Sequence, residues 1–75
     1  MSRRRNDDID PIAVERRCAG DHTVPLTQAE AAEAFARLEV RGLSASEIAD
    51  RLGVSERAVG RWRAGARPKS LRRVA

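Results

Sequence analysis

The chain has 75 residues, 15 cations against 11 carboxylates for a net charge of +4, and 41% hydrophobic residues. That length makes one small domain with a modest core, and the lone Cys18 excludes an intrachain disulfide and suits a reducing cytoplasm. Apolar runs of two or three residues exclude a membrane span, and "MSRRRNDD" lacks the apolar stretch of a secretory signal.

Residues 1–9 read as a flexible basic arm carrying Arg3, Arg4 and Arg5. Asp10-Pro11 then sets an N-cap before a proline at the first helical position, so "PIAVERRCA" is expected to be a short helix closed by Gly20. Its candidate inward residues are Ile12, Val14 or Ala13, and Cys18. "DHTVP" reads as a linker, since Val24 precedes a proline and no helical period is present.

"TQAE", Thr27 to Glu30, is a capping box that opens a helix over about 28–41, ending at Gly42. Ala31, Phe35 and Leu38 form its apolar face, with Ala32, Ala34 and Leu43 beside it. A second box, "SASE" from Ser44 to Glu47, opens a helix over about 45–52 with Ile48, Ala49 and Leu52 inward, stopped by Gly53. Ser55 caps another helix over about 56–64, with Val59 and Trp62 inward and Gly65 at its end. The Trp62 indole N–H is expected to find a partner at the rim of the core. No stretch alternates with period two, so the expected fold class is all-α, with the helical domain spanning 10–65.

Residues 66–75, "ARPKSLRRVA", read as a basic, mobile tail. The charge is unevenly placed along the chain. Residues 1–25 balance to zero, whereas 57–75 hold seven cations (57, 61, 63, 67, 69, 72 and 73) and no acid. Such a run implies a polyanion partner, or else a solvated tail. The preference for arginine over lysine carries little weight, because a GC-rich genome produces it too.

Two steeply crossed helices joined by a short turn need a small residue at the crossing, a glycine able to take positive φ, and large apolar residues behind the second helix. Ala49, Gly53, Val54, Val59 and Trp62 supply these, with Ile48 and Leu52 completing the seam. The stretch 43–65, "LSASEIADRLGVSERAVGRWRAG", resembles the helix-turn-helix of bacterial and phage DNA-binding proteins, of the resolvase, transposase and sigma-factor region-four kind. With the preceding helix, residues 26–65 are similar to homeodomain-like trihelical domains and to small regulators and immunity repressors of actinobacteria and their phages. The expected architecture is thus a small trihelical helix-turn-helix domain with an additional N-terminal helix and basic flexible tails.

The resemblance implies a scaffold helix at 45–52 and a recognition helix at 56–64, with Ser55, Glu56, Arg57, Gly60, Arg61 and Ala64 facing DNA. Arg57 and Arg61 lie one turn apart, and either fork matches guanine O6 and N7. Glu56 either accepts from cytosine N4 or, as a first-turn acid, stabilises the helix dipole. Gly60 either lets the backbone approach the duplex or is tolerated drift. Phosphates are expected at Ser44 and Ser55, whose helix starts present amides, and at Arg63, Arg67, Lys69, Arg72 and Arg73. Arg3, Arg4 and Arg5, or the C-terminal arm, are candidates for the minor groove.

Cys18 and His22, spaced C-x3-H, offer too few ligands for a structural zinc, so no metal or other cofactor is expected. One histidine and no phosphate-cradling loop leave no basis for an enzyme. The expected function is sequence-specific binding of double-stranded DNA as a repressor-type, phage-like transcriptional regulator in the cytoplasm, associated with the nucleoid. A recombination or excision accessory protein, or a module docking on polymerase or another partner, are the alternatives. Neither a membrane nor a small-molecule substrate is expected as a partner. Pairing with itself on DNA is left open, although no dimer strip is visible.

Overall fold

A computed structural model describes residues 9–73, so Arg3, Arg4 and Arg5 lie outside the described residues. The chain forms four helices: α1 (Pro11–Cys18), α2 (Gln28–Val40), α3 (Ala45–Leu52) and α4 (Glu56–Arg63). No strand occurs among the described residues, only one antiparallel bridge between Leu26 and Leu71.

Side-chain caps set every helix start. Asp10 accepts from the amides of Ile12 at 3.0 Å and Ala13 at 3.4 Å, with Pro11 inside the first turn. Thr27 and Glu30 exchange reciprocal bonds at 2.9 and 3.2 Å, and Ser44 and Glu47 do the same at the start of α3. Ser55 caps α4 alone, accepting from the Ala58 amide at 3.1 Å. The four ends share one closure, in which the N–H of Asp21, Leu43, Val54 or Ala66 donates to the carbonyl five residues earlier.

At the α3–α4 turn this closure needs Gly53. Its φ is +71°, a conformation that favours glycine, and an added Cβ would also press on the His22 ring at 3.1 Å. α1, α2 and α4 each end one residue before the sequence-based boundary, which is ordinary fraying.

The core is built from Val14, Cys18, Leu26, Ala31, Ala34, Leu38, Ile48, Ala49, Leu52, Val59 and Leu71. Phe35 and Trp62 are half-buried against it and meet edge to face, with ring centroids 5.5 Å apart at 73°. Among the described residues, no protein group accepts from the indole N–H of the half-buried Trp62.

Ile12 departs from expectation more sharply: it is 71% exposed. The inward stripe of α1 is Val14, Arg17 and Cys18, and a residue two positions from Val14 sits about 200° around the axis. The C-terminal segment also differs. Over 66–73 it is not a loose tail but a strap folded back on the domain. Leu26 and Leu71 exchange both backbone bonds at 2.8 and 2.9 Å, and Leu71 and Pro68 are buried. An isolated apolar residue in a basic stretch has no period to announce this.

Arg17 is the least anticipated core residue, 1% exposed. Its guanidinium is solvated by four carbonyls rather than paired with an acid. Nε and Nη2 donate to Leu52 at 3.0 and 2.7 Å, and Nη1 donates to His22, Val24 and Arg72 at 3.2, 2.8 and 3.0 Å. Burial pushes this guanidinium below its ordinary pKa, with Asp21 opposing.

Candidate nucleic-acid interface

The amphipathic pattern of α4 decides which side chains it presents. Val59 is fully buried and Trp62 half-buried, so the opposite side carries Glu56, Arg57, Gly60, Arg61 and Ala64, all exposed, with Ser55 exposed at the cap. Gly60 faces open space, with nothing within 4 Å of a built Cβ. Neither Arg57 nor Arg61 pairs with a carboxylate among the described residues. Two unpaired guanidinium groups, a turn apart on a helix held from behind, can be offered to an anionic or acceptor-rich surface without first breaking an ion pair.

The strap adds to this surface. A groove of about 270 Å³ opens between α4 and the strap, walled by Val54, Ala58, Trp62 and Leu71. Arg61 lines it from the helix, and Arg67 and Lys69 line it from the strap. All three are exposed. The Arg72 and Arg73 side chains are exposed where the strap ends. The α4 face and the strap cations Arg67 and Lys69 therefore adjoin, which sequence spacing alone did not require.

Arg63 is turned elsewhere. Its Nε and Nη2 fork onto Glu39 at 3.0 and 2.8 Å, and Nη2 also donates to the Leu43 carbonyl at 3.0 Å. Glu39 raises the Arg63 pKa, so the charge is committed to holding the end of α4 against α2. Arg63, grouped by sequence with the phosphate-binding cations, is thus ion-paired with Glu39 in the free protein. Sequence reading saw its charge but not the acid 24 positions earlier.

The two helix starts also differ. Glu47 accepts the Ser44 amide at 2.9 Å, and that bond, with the Ser44 hydroxyl, lowers its pKa. A carboxylate thus sits at the start of α3, where an incoming phosphate would meet it. The start of α4 has no such return bond: its cap is Ser55 alone, with Glu56 in the first turn.

Cys18 and His22 are not arranged as a metal pair. The buried Cys18 thiol donates to the Ala34 carbonyl at 3.7 Å, and burial raises its pKa. His22 Nε2 lies 2.8 and 3.1 Å from the Asp50 and Arg51 carbonyls, which requires it to be the donor, and the ring covers Gly53. Sequence reading missed this role of His22, which depends on a turn 30 residues away. No described helix is long and apolar enough to cross a membrane.

Searches of curated proteins and of solved structures returned no match. A family model does match: the homeodomain-like domain aligns with residues 25–67, from the residue before Leu26 to the first cation of the strap. With the helix-turn-helix geometry of α3 and α4, that match places the chain in the homeodomain-like helix-turn-helix family, whose members bind DNA.

Proposed function

We propose that the protein is a sequence-specific, repressor-type regulator of transcription, acting in the cytoplasm on double-stranded DNA. α4 enters the major groove with Arg57 and Arg61 at base edges, and Gly60 and Ala64 keep the helix surface low. Ser55 and Glu56 lie at the end of the helix that goes deepest. Arg67, Lys69, Arg72 and Arg73 hold flanking phosphates, with Ser44 a minor contributor beside Glu47.

The observation that carries this reading is the exposed, carboxylate-free pair Arg57 and Arg61 on a helix locked by Val59 and Trp62. Glu56 fits a dipole role at least as well as a cytosine contact, because it stands in the first turn. Selection of bound sequences from a random duplex pool at physiological salt tests the proposal. A defined consensus spanning the width of one major-groove site is expected. Recovery of unenriched sequence would refute sequence-specific regulation, and a gel-shift competition favouring recombination-site over promoter DNA would reassign the role.

A further inference from the structure

Arg17 occupies an unusual place, because its four acceptors belong to three segments that are far apart in sequence. Leu52 is the last residue of α3, immediately before the Gly53 turn that launches α4. His22 and Val24 lie in the segment between α1 and α2. Arg72 lies in the strap. One buried guanidinium therefore joins the root of the DNA-facing helix to the strap that carries Arg67 and Lys69. Otherwise the strap is held chiefly by the Leu71 side chain in the core and the paired amides of Leu26 and Leu71. Only an arginine has the planar spread of donors for this; a lysine ammonium is compact and has three.

We propose that Arg17 and Leu71 are positioning residues for DNA binding: together they latch the strap beside α4, so that Arg67 and Lys69 meet the phosphodiester backbone in a fixed register with Arg61. The inference rests on the reading of α4 and the strap as one DNA surface, and it assigns that surface a support neither element contains alone. A strap latched before DNA arrives loses less freedom on binding than a free basic tail. Neither residue touches DNA. The Arg17 side chain lies behind the strap, and the Leu71 side chain points from the strap into the core.

A double-mutant cycle on the full chain tests this, with binding read by anisotropy of a short labelled duplex of mixed sequence at ~0.15 M salt. Removing both strap charges (Arg67→Ala with Lys69→Ala) is expected to weaken binding about 30-fold, given a log–log salt slope of about 0.9 per phosphate. In a Leu71→Ala background the same pair should cost less than about 5-fold, because an unlatched strap no longer delivers both charges together. Arg17→Lys serves as a second background, with far-UV circular dichroism reporting whether each variant retains its helices. Hydrogen exchange at the backbone amide of position 71 should be fast in both. An equal cost of the strap charges in every background would overturn the latch while leaving the strap on DNA. No cost in the unaltered background would overturn it too; if Arg57→Ala with Arg61→Ala still weakened binding, the α4 reading would survive that result.

Discussion

The side of the molecule built from α1 and α2 and the side built from α4 and the strap use arginine in opposite ways. On the first, two guanidinium groups are answered by carboxylates, Arg37 by Glu15 and Glu33 and Arg41 by Glu15, each at 2.9 Å. These contacts lower the Glu15 pKa and raise that of Arg37. On the second, Arg57, Arg61, Arg67 and Lys69 have no carboxylate among the described residues. Arg63 marks the boundary between the two, starting on α4 and ending on Glu39 of α2. The contrast shows that net charge is a poor guide to a binding surface. What sets the α4–strap side apart is four adjoining cations left without a carboxylate among the described residues, on a packed support.

The strongest way to break the contrast is to replace both exposed arginines of α4. Each of Arg57→Ala and Arg61→Ala should cost about 1–3 kcal/mol of DNA affinity and relax base preference, with the denaturation midpoint unchanged. Gly53→Ala attacks the support instead. A left-handed alanine pressed against the His22 ring should cost the fold about 1–3 kcal/mol in urea denaturation. Gly60→Ala sharpens the comparison by separating fold from function. It has open space and a helical backbone, so stability should rise by about 0.5–1 kcal/mol while binding weakens if the backbone lies close to the duplex.

Smaller effects belong to the paired side. Arg63→Ala should lower the denaturation midpoint slightly and leave the salt slope of DNA binding intact, whereas Lys69→Ala should lower that slope by about 1. Acid should act through Glu15 of the paired side and through Glu47 of α3. Glu15 and Glu47 have pKa values lowered in the folded state by Arg37 and by the Ser44 cap respectively. Their contributions are therefore complete above the ordinary carboxylate value and are lost as pH falls from there through the lowered values. Glu47→Gln should flatten that part of a stability–pH profile.

Much of the fold was legible because its boundaries are local chemistry. Asp10, Thr27, Ser44 and Ser55 each announce a helix start with a side chain that caps it, and a glycine follows each helix. The α4 face was legible for the same reason, since Val59 and Trp62 fix which side is left for Arg57 and Arg61. What escaped depends on contacts between distant segments. Arg17 reads as a surface cation, since charged residues are almost never fully buried unless paired, and its acceptors are carbonyls that no side-chain pattern encodes. Leu71 is one apolar residue without a period, and Arg63 finds its acid at the surface on a different helix. Ile12 was misplaced because α1 is short enough for two apolar faces to be written onto it until Arg17 claims one.

The central claim is that the unpaired guanidinium groups of α4 read base edges rather than simply attract phosphate. It is tested most directly by the ratio of Kd values for a selected site and a scrambled duplex, compared between the unaltered chain and Arg57→Ala with Arg61→Ala. The account predicts that the ratio collapses towards one in the double variant while residual, salt-sensitive affinity for both duplexes persists. A ratio that stayed the same while both affinities fell together would contradict it, and would leave those two arginines as phosphate contacts only.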